Sequence, residues 1–313
     1  VKVRKSLQTL ERSPDYRAKI GVSDKARIFT GEPSISTYHS YANKIAASHS
    51  LRLGIEPPES MLGEAAAWQQ VEKIVRNYDG EMSDVESSLS TVIKDVLKLV
   101  SQIKEHEVDI SRITDFTEQF LSEVLSVEPV ARNKFAPFYA DVAPIIRAQK
   151  ARLQLLPIVE RVINERARRS ELTFDDQMSL AADIAAKFPD VGAIEREKYQ
   201  VVLLDEYQDT SASQLRLMQS LFGGGHPITA VGDPCQAIYA WRGASSDTIA
   251  AFPADFRTRD GKLSETYTLL ISWRNDHGIL DLANTVSETL RNPINSFGDK
   301  SSKISKLGPK PTA

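Results

Sequence analysis

Three short apolar runs constrain the fold of this chain more than any other feature. They read VVLL (201–204), ITAV (228–231) and TLLI (268–271), and each is followed by a turn and then by a helical pattern. This alternation is typical of parallel strands that are buried on both faces and connected by helices. The sequence therefore predicts an α/β fold with a parallel sheet, of the kind that forms a nucleotide-binding core.

The segment after the first run predicts a helix with one buried face. Thr210 and Ser211 are residue types that favour the N-cap position, so we expect the helix to begin near them. The side chains expected on the buried face are Leu215, Met218 and Phe222.

The chain before this α/β region has a different periodicity. Between residues 82 and 107 apolar side chains recur at spacings of three and four, which predicts an amphipathic helix, and Ser83 followed by Glu86 predicts a capping box at its start. Similar periodicity occupies residues 65–75, 113–125 and 156–169. Residues 42–172 are therefore expected to form an all-helical unit.

Composition excludes several classes of protein. The 313 residues are 41% apolar and 26% charged, with a formal net charge of -3, which is ordinary for a globular protein and does not by itself indicate a nucleic-acid-binding surface. The single cysteine, Cys235, excludes an internal disulfide framework, and the five scattered histidines lack the spacing of zinc ligands. No apolar run reaches the roughly 18 residues of a membrane span, and no signal-peptide pattern opens the chain. We expect a cytoplasmic protein with no membrane partner.

Acidic residues stand where the first predicted strand ends. In an open parallel sheet, ligands bind outside the carboxyl ends of the strands, and Asp205 and Glu206 follow VVLL directly. One carboxylate can hold a Mg²⁺ ion that bridges nucleotide phosphates, while its neighbour accepts a proton from the attacking water. The alternative is a solvated turn, since an acid such as Asp209 also favours a helix N-terminus without any function.

The second strand runs into the segment GDPCQAIYAWRGA (232–244), in which Gln236 emerges in a turn. Aromatic and basic side chains follow it closely, namely Tyr239, Trp241 and Arg242. This mixture suits stacking on the bases of a single strand together with contacts to its backbone, and the alternative is a core tryptophan beside a surface arginine. The third run ends in Trp273 and Arg274, which places a further aromatic and cationic pair at a strand end.

Taken in order, these segments resemble a known family. LLDEYQDT, AVGDPCQAIYAWRGA and LLISWRN resemble motifs II, III and IV of the Rep/UvrD/PcrA-type superfamily 1 DNA helicases, STYHSYA (36–42) resembles motif Ib, and LTFDD (172–176) resembles the segment that re-enters the first core domain. The tyrosine of DEYQDT and the forms GDPxQ and SWRN look most like actinobacterial members, including the AdnB-type subunit of helicase-nucleases. The resemblance implies a RecA-like core with a helical insertion, ATP and Mg²⁺ as cofactors, and DNA as substrate.

The resemblance implies a nucleotide-binding role for five residues. Asp205 would ligand Mg²⁺, and Glu206 would be the catalytic base for ATP hydrolysis. Gln236 would sense the γ-phosphate, and Arg274 would reach it from the second core domain as an arginine finger. Trp273, where the family usually has tyrosine, would stack near the adenine. At Cys235 many relatives carry an acid, a difference that we expect to be tolerated.

A second set of residues is implied in DNA binding. Trp241, with Tyr239, would stack on single-stranded bases, and Arg242 would support that site. Thr37 and His39 would contact the DNA backbone. A basic face is expected on the last predicted helix of the insertion, or equally an ordinary solvated surface, formed by Arg147, Lys150, Arg152, Arg166, Arg168 and Arg169.

The family pattern is incomplete in this sequence. No segment matches the phosphate-binding Walker A motif G-x-x-x-x-G-K-[ST], and motifs V and VI do not follow motif IV. We interpret the chain as an internal fragment with domain 1A at residues 1–41 and 173–262, the insertion domain 1B at 42–172, and the start of domain 2A at 263–313. Such a fragment is expected to lack ATPase activity by itself and to have an α/β part of marginal stability.

The function expected of the parent protein is ATP-driven movement on single-stranded or duplex DNA, with the 3′ to 5′ polarity of its relatives, in repair or recombination. A nuclease or a second helicase subunit would be a candidate partner. The alternative is a non-catalytic, helicase-like scaffold subunit of a helicase-nuclease complex, which the missing Walker A motif favours and the retained acids, glutamine and arginine oppose.

Overall fold

The computed structural model describes residues 9, 12–14, 17, 33–55, 62–127, 142–169, 171–239, 248–288 and 306–309. The chain divides into two compact units, residues 1–41 and residues 42–313. In the first unit, Thr37 caps the start of helix α1 (Tyr38–His49), because its Oγ1 accepts a hydrogen bond from the amide of Ser40 at 3.2 Å.

Within the second unit, residues 62–169 form what we call the helical part. Its helices are α2 (Glu64–Arg76), α3 (Leu89–His106), α4 (Ile110–Ser126) and α5 (Val142–Arg169). The three helices predicted at residues 65–75, 113–125 and 156–169 are thus confirmed. Side chains three or four apart on α3 and α5 meet those of α2 in a core formed by Val71, Val92, Ile93, Val96, Val100, Ile103, Leu155, Ile158, Val159 and Val162.

The predicted start of α3 was wrong. The helix begins at Leu89, where the side chain of Ser88 accepts a hydrogen bond from the amide of Thr91, and the expected capping box of Ser83 and Glu86 does not form. Gln154 of α5 explains the difference, because its amide oxygen accepts from the Asp84 amide at 2.9 Å and its Nε2 donates to the Asp84 carboxylate at 3.1 Å. A contact with a distant helix therefore holds this segment as a turn.

Residues 171–309 form what we call the α/β part. Its elements, in chain order, are α6 (Phe174–Lys187), α7 (Pro189–Lys198), β1 (Val202–Leu204), α8 (Ala212–Phe222), β2 (Ile228–Ala230), α9 (Thr248–Asp255), β3 (Ile271–Ser272), α10 (His277–Val286) and β4 (Gly308–Pro309). The structure is thus mainly helical, with small parallel sheets between the helices.

Strands β1 and β2 pair in parallel, with Leu203 opposite Thr229. As predicted, α8 starts beside Ser211, which forms a reciprocal capping box with Gln214. Met218 and Phe222 are buried on α8, as expected, and Leu215 is half-buried.

The prediction that all three runs are strands buried on both faces was wrong. Leu204 is buried, but Leu203 is 73% exposed, so one face of β1 is not covered. The third run contributes only β3, which pairs with β4 in a sheet separate from β1 and β2 among the described residues, and Leu269 is 80% exposed. A strand is buried only when other elements cover its faces, and the apolar pattern alone does not specify them.

A set of polar contacts joins the helical part to the α/β part. Arg216 of α8 donates to Glu107, the residue after α3, at 2.6 Å and to Asp183 of α6 at 2.8 Å. Burial lowers the pKa of the Arg216 guanidinium, but its hydrogen bonds to Asp183 and Glu107 outweigh this and leave the pKa raised. Glu107 itself has a left-handed backbone (φ 52°), a conformation that costs energy for a residue with a side chain. The joint therefore combines an ion-pair cluster with local backbone strain.

In the part of the chain that the structure describes, every helix is too short or too polar to cross a lipid bilayer.

Candidate nucleotide-binding site

The acidic pair predicted from the sequence lies directly after β1. Asp205 and Glu206 are both exposed, and the Oδ1 of Asp205 accepts a hydrogen bond from the Glu206 amide at 3.1 Å. Glu206 has φ 51° and ψ 41°, so its backbone is left-handed. Residues other than glycine in this conformation are uncommon and cluster at functional sites, which marks the turn as a specialised one.

Gln208 connects this turn to the segment after β2. Its side chain is buried, and its Nε2 donates to the Oε2 of Glu206 at 2.7 Å. Its Oε1 accepts from the backbone amide of Asp233 at 3.0 Å. One amide side chain therefore contacts both strand ends.

The carboxylate of Asp233 continues the chain of contacts. Its Oδ1 accepts from the Cys235 amide at 2.9 Å, and its Oδ2 accepts from the Nε2 of Gln236 at 2.9 Å. Both bonds stabilise the short helical turn Pro234–Gln236. Glu206 and Gln236, which sequence reasoning had assigned to one site, are thus linked through Gln208 and Asp233.

Backbone contacts hold the two strand ends close together. The Val231 amide donates to the Leu204 carbonyl at 2.9 Å, and the Tyr207 amide donates to the Val231 carbonyl at 3.0 Å. Gly232 follows, and a Cβ added there would lie 2.5 Å from the Oε1 of Gln208. Glycine therefore allows the segment after β2 to approach this closely, and a larger residue would force the Gln208 side chain to shift.

Aromatic side chains pack against the turn that contains Asp205 and Glu206. Tyr207 is fully buried and meets the ring of Phe252 edge to face at 5.2 Å, and Phe252 stacks on Phe256 at 4.9 Å. Asp209 lies beside this cluster, and burial raises its pKa, helped by the nearby charge of Glu206. The turn thus presents Asp205 and Glu206 to solvent while its other side chains are packed.

Other predicted site residues are less closely connected. Trp273 is 69% exposed, and Arg274, also exposed, makes no hydrogen bond or ion pair within the described ranges. Tyr239 is exposed after the Gln236 turn, whereas Trp241 and Arg242 lie outside the described residues. The approach of Arg274 to the acidic pair remains a prediction.

In the first compact unit, Thr37 and His39 are exposed at the start of α1, where Thr37 caps the helix. Their assignment to DNA contacts remains a prediction.

Of the basic residues expected on α5 as a basic face or as an ordinary solvated surface, Arg166 fits neither expectation. Arg166 is buried, and its Nε donates to the Oε1 of Gln70 at 3.0 Å. Arg168 and Arg169 both pair with Glu165, and the Arg169 ion pair measures 2.6 Å. The Glu165 pairs have the i,i+3 and i,i+4 spacing of a helix, whereas the contact of Arg166 with Gln70 could not be predicted from the helical pattern because Gln70 is far away in the sequence.

Sequence reasoning also missed two residues of the site. Gln208 and Asp233 received no role, although Gln208 is the only amide within DEYQDT. The signal available was the position of Gln208 two residues after Glu206, but its second contact, with Asp233, depends on the pairing of β1 and β2.

The acids at this edge fit a magnesium ion. Asp205 is exposed, and its Oδ2 has no hydrogen-bond partner among the described residues. Mg²⁺ is usually held by one or two carboxylates, with water and phosphate oxygens completing the shell. The residues for the phosphate cradle itself are not in these 313 residues, because no Walker A pattern occurs in them. The Asp205 carboxylate therefore fits a magnesium ion.

The linked acid and amide side chains lie at the carboxyl ends of two adjacent parallel strands, which is where α/β sheets bind their ligands. The chain belongs to the UvrD/Rep helicase family, since the family model described as the UvrD/REP helicase N-terminal domain matches residues 3–257. The family-level resemblance seen in the motifs is thus confirmed, and the AdnB-type branch remains a prediction.

Individual relatives support the same family. The chain is 23% identical over 252 residues to the ATP-dependent DNA helicase PcrA of Leuconostoc citreum, covering 80% of this chain and 28% of that protein. It is 28% identical over 278 residues to the ATP-dependent DNA helicase PcrA of Bacillus subtilis (strain 168), covering 87% of this chain and 32% of that protein. The chain therefore spans about a third of the length of these relatives.

Proposed function

We propose that this chain is part of an ATP-dependent DNA helicase or translocase that moves 3′ to 5′ on single-stranded DNA in repair or recombination. One observation carries the proposal. The hydrogen-bonded chain Glu206–Gln208–Asp233–Gln236 links the proposed catalytic base to the proposed phosphate sensor across two adjacent strand ends. Such a link suits an enzyme in which the state of a bound phosphate controls the placement of a carboxylate.

The proposed roles follow from the chemistry of each side chain. Asp205 would hold Mg²⁺, which offsets negative charge on the phosphates. Glu206 offers a second carboxylate oxygen, not used by Gln208, that can accept a proton from the attacking water. Gln236, now bonded to Asp233, has an exposed amide that can turn to a phosphate oxygen. Arg274 would approach from the other core domain, with Trp273 near the base.

For DNA, we propose stacking by Tyr239 and Trp241, support from Arg242, and backbone contacts from Thr37 and His39. The exposed positions of Tyr239, Thr37 and His39 are compatible with these roles. The paired charges of Arg168 and Arg169 argue against the end of α5 as a phosphate-binding surface.

The central experiment compares ATP hydrolysis by the full-length protein with that of the 313-residue chain, with and without single-stranded DNA. We expect DNA-stimulated hydrolysis by the full-length protein only, because the chain lacks a Walker A segment. In the full-length protein, Glu206→Gln is expected to lower kcat by about 100-fold or more, since a general base contributes about 10²–10⁴-fold. Glu160→Gln, at an exposed position on α5, is the matched control and should leave kcat unchanged.

Each contrary result has a distinct meaning. Hydrolysis by the 313-residue chain that Glu206→Gln abolishes would contradict the inactivity of the fragment. A full-length protein that binds DNA or a partner subunit but never hydrolyses ATP would contradict the proposed enzyme and support the scaffold alternative.

A further inference from the structure

We propose that Gln208 is the positioning residue for Glu206, and that its amide fixes one oxygen of the Glu206 carboxylate in a place set by the segment after β2. The inference rests on the proposed function, because it assigns the second oxygen of Glu206 to the attacking water. It goes further by making the geometry of the base depend on a residue outside the acidic pair.

The burial of Gln208 is the first observation. Its side chain is 1% exposed, so both ends of the amide must find partners inside the protein. A carboxylate can only accept hydrogen bonds and a backbone N–H can only donate one, so the Nε2 faces Glu206 and the Oε1 faces the Asp233 amide. A rotation of the amide by half a turn would place its oxygen against the Glu206 carboxylate and its NH₂ group against the Asp233 N–H. Both hydrogen bonds would then be lost.

Glu206 lacks other constraints of this kind. It is exposed, and Gln208 is its side-chain hydrogen-bond donor among the described residues. A long, exposed carboxylate side chain samples several rotamers, and holding it in one of them increases the fraction of time in which it can accept a proton from a positioned water. The 2.7 Å bond to Gln208 supplies that restraint.

The other end of Gln208 connects to the Gln236 turn. Asp233 donates its amide to Gln208 while its carboxylate accepts from the Cys235 amide and the Gln236 side chain. A displacement of this turn therefore moves the partner of Gln208. Gly232 leaves room for this contact, since a Cβ there would lie 2.5 Å from the Oε1 and 3.1 Å from the amide nitrogen of Gln208.

Two substitutions at position 208 separate the contacts. Gln208→Glu keeps an acceptor for the Asp233 amide but presents a second carboxylate to Glu206, whereas Gln208→Met removes both hydrogen bonds. Gln154 in the helical part is a matched control, because its Oε1 accepts from the Asp84 amide and its Nε2 donates to the Asp84 carboxylate.

In the full-length protein, we expect Gln208→Glu and Gln208→Met to lower kcat for ATP by about 10- to 100-fold, as expected for a displaced catalytic group. The KM for ATP should change by less than about threefold, because the buried amide is assigned to Glu206 and Asp233 and not to the nucleotide. Gln154→Glu and Gln154→Met should leave both constants unchanged. A purely structural role predicts instead that activity falls only as far as thermal stability does.

Amide hydrogen exchange in the 313-residue chain tests the contact without any need for ATP. Exchange at the Asp233 amide should accelerate by up to about tenfold in Gln208→Met and remain slow in Gln208→Glu, because one hydrogen bond contributes at most roughly 1.4 kcal/mol, which corresponds to a tenfold change. Gln154→Met should accelerate exchange at Asp84 and not at Asp233.

Gly232→Ala tests the position of the Gln208 amide without changing Gln208 itself. The added Cβ should displace the Gln208 amide and lower kcat by about tenfold or more in the full-length protein, with little change in KM. Gly63→Ala is its control, because a Cβ at Gly63 meets nothing within 4 Å.

The outcomes are separable. Unchanged exchange at Asp233 in Gln208→Met, or an unchanged kcat in both Gln208 variants of an active enzyme, overturns the positioning role. Accelerated exchange at Asp233 together with a wild-type protein that never hydrolyses ATP supports the contact and overturns the proposed function instead.

Discussion

The helical part and the α/β part differ in how completely they bury their apolar side chains. In the helical part, Val96, Ile158, Val159 and Val162 have 4% exposure or less and meet in one core. In the α/β part, β1 alternates between buried Leu204 and Leu203, which is 73% exposed. Both segments were predicted to be buried from their apolar patterns, yet only the helical part forms a closed core.

The difference shows what each kind of element requires. A helix satisfies its backbone hydrogen bonds internally, so three amphipathic helices can close a core among themselves. A strand needs neighbours for its hydrogen bonds and further layers for its faces, and β1 has one described neighbour, β2. The helical part should therefore resist perturbation at its surface and fail at its core, whereas exposed strand positions should tolerate change.

The largest expected effect tests this contrast directly. Ile158→Ala empties a fully buried position and should lower the free energy of unfolding by about 2–5 kcal/mol, whereas Leu203→Ala should change it by no more than about 0.5 kcal/mol. Ile145→Ala is the control on the same helix, because Ile145 is 48% exposed. Chemical denaturation followed by circular dichroism gives the three values. A cost at Leu203 equal to that at Ile158 would mean that the face of β1 is covered in solution.

The second prediction concerns the joint between the two parts. Arg216→Ala should lower the free energy of unfolding by about 1–2 kcal/mol, because it breaks hydrogen bonds between charged groups at a site that is two-thirds buried. Arg76→Ala breaks the i,i+4 ion pair with Glu72 inside α2 and should cost no more than about 0.5 kcal/mol.

A double-mutant cycle of Arg216→Ala with Glu107→Gln measures the coupling across the joint. We expect a coupling energy of about 0.5 kcal/mol or more that decreases at high salt. Zero coupling at low salt would show that the Arg216–Glu107 pair does not help to hold the two parts together.

The sequence was informative where structure depends on local pattern. The helical periods and the start of α8 at Ser211 followed from side-chain spacing and capping chemistry. The start of α3 was wrong because Gln154, on another helix, bonds to Asp84. The prediction for the start of α3 thus failed because a partner distant in sequence intervened.

The candidate site also contains residues that the sequence predicted and residues whose role depends on partners distant in the sequence. Asp205, Glu206 and Gln236 could be assigned from strand ends and family motifs. Gln208 could not, because its role requires the amide of Asp233, which is 25 residues away and adjacent only after β1 and β2 pair. Arg166 was misassigned to the surface for a related reason, since Gln70 on α2 holds it in the interior.

The smallest expected effect is a change in melting temperature. It is tested by replacing one acid in each of the two parts. Asp255 ends α9, its Oδ2 is buried without a hydrogen-bond partner among the described residues, and burial raises its pKa despite an opposing hydrogen bond from Gln219. A negative charge at a helix C-terminus is also unfavourable. Asp255→Asn should therefore raise the melting temperature at pH 7 by about 1–2 °C. Asp95→Asn, at an exposed position on α3, should leave it unchanged.

The pH dependence of this effect has a definite sign. Because the folded-state pKa of Asp255 is raised, the stability that its neutral form contributes is present below the unfolded-state pKa and is lost as the pH rises through the folded-state value. The advantage of Asp255→Asn over the wild type should consequently shrink as the pH is lowered toward about 4, the ordinary pKa of an aspartate. An advantage that is constant from pH 7 to pH 4 would show that the charge of Asp255, acting through its burial or through the helix terminus, does not determine the effect. An equal gain from Asp95→Asn would remove the distinction between the two parts, because it would mean that lowering the net negative charge stabilises the chain wherever it is done.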